Sequence, residues 1–274
     1  MRKRKSFCGH AVIYKQQNDT RKAGNVSVSI SQIPQVWYRP RMNTSSAYSG
    51  ILFDLDGTLL DSLKDIANAM NTVLERHGYP THPLEDYNHH VGDGMDTLAR
   101  RVLPPEHAPD PEIRSRIVRE MKRQYSDTWY HWSAPYPGIH ELLSQLTALP
   151  LKLGVLSNKP DEFTTVIVEH FFPLVSWAAV RGARPGIPIK PAPDAALDIA
   201  REWELPPEQL IFVGDTSTDV RTAVNAGMPC IGVTWGFRDR EELLHHGAKW
   251  IVDHPVEIVG ILERAEAPRL RGSD

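Results

Sequence analysis

Cysteine is nearly missing from this chain: Cys8 and Cys230 are the only two in 274 residues. Neither sits in a metal-binding spacing, and two thiols cannot build a disulfide framework, so a reducing, cytoplasmic setting is expected. Long apolar runs are missing too. Nothing approaches the roughly 20 residues that span a bilayer, so no membrane partner is expected. No apolar stretch follows the basic Met1–Lys5, so no secretory leader is expected either. Acids are scarce in one place. The first 50 residues carry a single acid, Asp19, against nine of the 31 Lys and Arg. The rest holds 22 basic and 33 acidic residues, a surplus of 11 negative charges. Such a body repels phosphate backbones, which argues against a nucleic-acid partner. Internal repeats and low-complexity tracts are absent. What is present is 41% hydrophobic residues, over a length that fits one large or two modest domains. Nothing in the pattern fixes an oligomeric state.

The basic start is set apart as residues 1–49. Its Arg-rich, Ser-containing, acid-poor composition resembles a transit peptide. A disordered or mis-started extension is the favoured alternative, because Met42-Asn43-Thr44-Ser45-Ser46 reads as an ordinary start just before the first strand. A nucleic-acid arm ranks third, since the basic residues are scattered.

Beyond it, Ile51-Leu52-Phe53 reads as a buried strand ending at Asp54. Helices are expected over Leu63–His77, Gly94–Val102 and Glu112–Trp129, with no strong strand between Asp61 and Ser133. From Pro137 the pattern alternates. Helices are expected at Gly138–Leu149, Asp161–Phe171, Asp194–Trp203, Thr218–Ala226 and from about Asp239. Strands are expected at Leu151–Leu156, Trp177–Arg181, Leu210–Gly214, Cys230–Thr234 and Trp250–Val252. Alternating strands and helices imply right-handed crossovers and a mostly parallel α/β sheet.

Ligands of such sheets bind at the carboxyl ends of strands, and four polar features fall there. In Asp54-Leu55-Asp56-Gly57-Thr58 two carboxylates one residue apart point the same way in extended chain, and Gly57 permits a sharp turn after them. One carboxylate can attack phosphorus while the other handles the leaving group's proton. The competing reading is a solvated Asx-rich turn. Asp215 and Asp219 offer hard oxygen ligands that suit Mg²⁺, although Asp219 also reads as a first-turn acid facing a helix dipole. Ser157 and Asn158 supply a hydroxyl and an amide for phosphate, or a helix N-cap region. Lys190, flanked by Pro191, supplies positive charge where a solvated lysine is the commoner fate.

In this order the four motifs resemble the haloacid dehalogenase superfamily of phosphatases, over about residues 50–260. The resemblance implies a Rossmann-like parallel core, residues 50–62 and 134–274, with an all-helical cap domain inserted over 63–133. Within the superfamily the chain is similar to phosphoglycolate phosphatases. This rests on Leu59-Leu60-Asp61-Ser62, on Val91-Gly92-Asp93-Gly94 with Leu98, Arg101 and Leu103, and on Val233-Thr234-Trp235-Gly236-Phe237.

The resemblance also assigns roles. Asp54 would be the nucleophile and Asp56 the general acid and base. Thr58, Ser157, Asn158 and Lys190 would hold the phosphate. Mg²⁺ would be held by Asp54, the Asp56 backbone carbonyl, Asp215 and Asp219. Gly92, Asp93, Gly94 and Arg101 would read the substrate. The expected activity is Mg²⁺-dependent hydrolysis of a small phosphorylated metabolite, 2-phosphoglycolate first, through an aspartyl-phosphate. The alternatives are a related phosphotransferase (a sugar-phosphate phosphatase or mutase, or a pyrophosphatase) and a phosphate sensor without turnover.

Overall fold

The computed structural model describes residues 47–264. The readings of the basic start fall, through residue 46, outside the described residues. Ala47 and Tyr48 are already buried, and the ring of Tyr48 meets Trp250 edge-on. Packed chain is therefore already present at residue 47.

The core strands form because short apolar runs alternate between two covered faces. In β1 (Gly50–Phe53), Ile51 and Phe53 point to one face and Leu52 to the other. After β1 come a two-residue strand β2 (Leu60–Asp61) and four helices: α1 (Leu63–Arg76), α2 (Tyr87–His90), α3 (Met95–Val102) and α4 (Pro111–Ser126). The chain then returns through β3 (Ala134–Pro135) and runs α5 (Ile139–Thr147), β4 (Lys152–Pro160), α6 (Asp161–Phe171), β5 (Ala179–Ala183) and α7 (Asp194–Glu202). It continues through β6 (Leu210–Gly214), α8 (Ser217–Ala226), β7 (Cys230–Val233), α9 (Arg240–His245), β8 (Trp250–Val252) and α10 (Glu257–Arg264).

Six strands form one all-parallel sheet in the order β5-β4-β1-β6-β7-β8. The chain grows outward through β4 and β5 on one side of β1, then crosses to β6 on the other. The reversal puts the topological switch point beside β1. Apolar residues of α5, α6 and α10 pack on the Ile51 face, and those of α7, α8 and α9 on the Leu52 face. Gly50 and Gly154 sit under Trp203. A Cβ on either would come within 3 Å of its ring, which explains glycine in two central strands.

The expected strand Leu151–Leu156 needs correction, because β4 runs on to Pro160. Its pairing with β5 slips between Leu156 and Pro160, so Ser157 lies at an irregularity inside the strand and not just past its end. The polar run Ser157-Asn158-Lys159 hides this extension, because its side chains serve the site below and not the core. β5 starts at Ala179, two residues beyond the expected Trp177.

The helices between β2 and β3 have a common interior that includes Met70, Leu74, Leu98, Ile117 and Met121. Asp110 caps α4, accepting from the amides of Glu112 and Ile113, with Pro111 in the first turn. The β2–β3 pairing, absent from the sequence reading, ties entry to exit of this segment. Buried Asp65 reinforces it by accepting from the Ser133 amide (2.7 Å), the Ser133 hydroxyl (2.6 Å) and the Trp132 amide (3.1 Å). No helix among the described residues is long and apolar enough to cross a membrane.

Candidate active site

Asp54 is the first residue past β1, and its amide still donates to Val213 of β6 at 2.9 Å. The chain then folds back at once. The amides of Leu59 and Leu60 both reach the Leu55 carbonyl, and Gly57 donates to Leu60. Gly57 has φ +88, and a Cβ there would lie 2.2 Å from Oδ2 of Asp215. Conformation and space both demand glycine at this turn. The turn lets the Asp54 side chain face β6 while Asp56 swings towards β4.

Two buried lysines divide the carboxylates between them. Lys190 Nζ lies 2.8 Å from Asp54 Oδ1 and 2.6 Å from Asp219 Oδ1. Lys159 Nζ lies 2.9 and 3.0 Å from the two oxygens of Asp56, and 4.6 Å from the ring centre of Tyr125. Ser62 donates a further short bond to Asp56 Oδ1. Burial alone would lower both lysines. Asp219 and Asp54 keep Lys190 well above its ordinary value, and Asp56 does the same for Lys159.

Asp215 is fully buried at the end of β6. Thr58 donates to its Oδ1 (2.8 Å) and the Phe237 amide to its Oδ2 (2.8 Å). Asp219 closes a capping box with Thr216, whose amide (3.0 Å) and hydroxyl (2.7 Å) both donate to Oδ2. The first-turn reading of Asp219 takes the form of this capping box, in which one oxygen serves the helix start while the other faces Lys190. Asn158 is spent on bracing. Its amide exchanges hydrogen bonds with the backbone of Lys190 (2.9 and 3.0 Å) and donates to the Gly92 carbonyl (3.0 Å). Ser157 is buried, and its oxygen accepts from the Lys159 amide at 3.2 Å.

The residues expected to read substrate are brought to the same edge unevenly. Gly92 and Gly94 line a cavity of about 50 Å³, together with Asp54, Asp56, Ser157 and Lys159. Asp93 and Arg101 turn away from it and towards each other. Arg101 donates to Asp93 (2.6 Å) and to the His90 carbonyl (3.0 Å), while Thr218 donates to the other oxygen of Asp93. Burial would raise the Asp93 carboxyl, but Thr218 and Arg101 hold it below its ordinary value. This pair fixes the loop's shape.

Lys159 is the residue the sequence reading passed over. Of the residues lining the cavity it is the sole cation. Its place between a polar pair and Pro160 was the available signal.

Asp54, Asp215 and Asp219 present carboxylate oxygens within 4.8 Å of one another. Among the described residues Lys190 is the cation paired with this cluster, and it reaches Asp54 and Asp219 but not Asp215, so a compact, hard, anionic pocket is left short of positive charge. Burial, then Asp219, pushes the Asp54 carboxyl up to about 7 against the pull of Lys190. Burial, then Asp219 and Asp54, raises the Asp215 carboxyl well above its ordinary value. Such a cluster fits a divalent cation with oxygen preference: the donors are hard, close together and undercompensated.

The family model described as haloacid dehalogenase-like hydrolase matches residues 51–233. A phosphoglycolate phosphatase of Pseudomonas syringae pv. tomato is 30% identical over 78% of this chain and 77% of its own length. One from Chromobacterium violaceum is 31% identical over 78% of this chain and 96% of its own. The crystal structure of a predicted phosphoglycolate phosphatase from Haemophilus somnus superposes with a TM-score of 0.73 at 28% identity, covering 79% of this chain and 98% of that one. The chain belongs to the haloacid dehalogenase-like hydrolase family, among its phosphatases.

Proposed function

We propose that this chain hydrolyses a small phosphomonoester, 2-phosphoglycolate foremost, with Asp54 as nucleophile and Mg²⁺ as cofactor. One observation carries the reading: Asp54, Asp215, Asp219 and Lys190 meet at the switch point of the sheet, with Asp56 beside the same small cavity.

In this reading an Asp54 oxygen attacks phosphorus in line and forms an aspartyl-phosphate. Asp56, an anion against Lys159 in the substrate-free chain, takes up a proton from solvent as substrate enters, gives it to the leaving alkoxide, then takes one from the water that cleaves the acyl-phosphate. Lys190 and the Ser157 hydroxyl would offset charge on the equatorial oxygens. Thr58 holds Asp215 and Asn158 holds the Lys190 loop, so both act by positioning and not by touching phosphate. Mg²⁺ would be held by Asp54, Asp215, Asp219 and the Asp56 carbonyl, and would let an anionic nucleophile approach an anionic phosphate. The helical segment 63–133 serves as the cap that excludes water through Gly92 and Gly94.

The cavity's small size and its single cation favour a short substrate with a second anionic group. A carboxylate two bonds from the ester oxygen meets Lys159 once Asp56 has taken up its proton. The reading puts the enzyme in the cytoplasm, acting on a small metabolite. The test is a substrate panel of 2-phosphoglycolate, sugar phosphates and pyrophosphate, with and without Mg²⁺. The reading expects the highest kcat/KM for 2-phosphoglycolate, and loss of turnover in EDTA. A sugar phosphate or pyrophosphate turned over best would replace the substrate assignment. Full activity in EDTA would remove the metal.

A further inference from the structure

We propose that His82, Asp86 and His90 form a second cation site, for a borderline divalent metal of the Zn²⁺ type. Asp86 and His90 stand four residues apart, across the junction of the 3₁₀ turn Leu84–Asp86 with α2, so their side chains share a face. His82 enters from the preceding loop. One ring nitrogen of each histidine and a carboxylate oxygen of Asp86 all lie within 4.8 Å of one another. The two imidazole rings meet edge to face at 5.4 Å.

Two further observations distinguish this cluster from incidental packing. His82 Nε2 lies 2.8 Å from the carbonyl oxygen of Val102. A carbonyl only accepts, so Nε2 carries the hydrogen and Nδ1 keeps a free lone pair. That is how an outer carbonyl prepares a histidine to bind metal. His90 Nε2 is buried from solvent and has no hydrogen-bond partner, which leaves polar capacity in that ring unspent. Two imidazoles and one carboxylate make a three-ligand set that suits Zn²⁺ and not Mg²⁺, which takes oxygen. Asp86 is exposed, so water can fill a fourth position. The site shares no residue with the buried carboxylate cluster. His90 does abut the loop that begins at Val91, so metal here would fix the start of that loop.

The test is calorimetric titration of Zn²⁺ into the full chain in buffer saturated with Mg²⁺, which occupies the carboxylate cluster. We expect one Zn²⁺ per chain. Asp86→Asn and His90→Gln should each weaken it more than about tenfold, since losing even an outer-shell partner of a ligand is felt on that scale. Asp215→Asn should leave it unchanged. Asp86→Asn alters an exposed side chain, and circular dichroism confirms that each variant is folded. No Zn²⁺ binding in Mg²⁺ buffer, or affinity that is unchanged in Asp86→Asn, would overturn the proposal. So would affinity lost only in Asp215→Asn. None of these readouts depends on phosphatase activity.

Discussion

Lys159 donates to both carboxylate oxygens of Asp56, at 2.9 and 3.0 Å, and the pair lies beside Asp54 in the wall of one cavity. A buried lysine with one anionic partner carries two jobs in the proposed reaction. It holds the general acid in place, and it awaits the second anion of the substrate.

Lys159→Met separates these jobs. Charge-assisted hydrogen bonds of this kind contribute about 1.5–3 kcal/mol, so kcat/KM for 2-phosphoglycolate should fall by about ten- to a hundredfold. Part of the loss should appear in KM. With p-nitrophenyl phosphate, which has no carboxylate, KM should change little. Equal KM effects on both substrates would assign Lys159 to Asp56 alone.

The charge balance of the cluster sets a pH dependence. Asp54 titrates near 7 in the folded chain without metal, against 3.8 ordinarily, because burial and Asp219 disfavour its ionised form. Between those values the folded state binds more protons than the unfolded one. Stability of metal-free protein should therefore fall as pH rises from about 4 to about 7, with Asp215 adding in the same direction. A divalent cation stabilises the ionised cluster, so the Tm increase caused by Mg²⁺ should be larger at pH 7.5 than at pH 5. Thermal melts with EDTA and with Mg²⁺ at both values check this. An increase that is larger at pH 5 would contradict it.

Gly57→Ala probes the turn behind the nucleophile. The new methyl group has φ +88 to contend with and would lie 2.2 Å from Asp215 Oδ2. Left-handed strain at a non-glycine residue costs about 1–2 kcal/mol, and the carboxylate must also move. The expected result is a lowered Tm together with strongly reduced turnover and weaker Mg²⁺ binding. A variant with normal Mg²⁺ affinity would show that the close approach is not needed.

Much of this was legible beforehand because apolar runs and strand-end acids are local signals. Asp161–Phe171, Leu210–Gly214 and Trp250–Val252 form as read, and Asp54, Lys190, Asp215 and Asp219 converge. The extension of β4 through Ser157-Asn158-Lys159 was not legible, since those side chains serve a site and break the apolar pattern. The β2–β3 pairing joins residues more than 70 apart, with no alternation to mark it. The partners of Asn158, Asp93 and Arg101 also depend on tertiary packing. So does the ion pair of Lys159 with Asp56, 103 residues away.

The most direct test of the central claim is turnover by Asp54→Asn, measured with p-nitrophenyl phosphate and Mg²⁺ while circular dichroism confirms the fold. The amide keeps the shape of the side chain but is a poor nucleophile. The account predicts a loss of several orders of magnitude in kcat. Near wild-type turnover by the folded variant would contradict it.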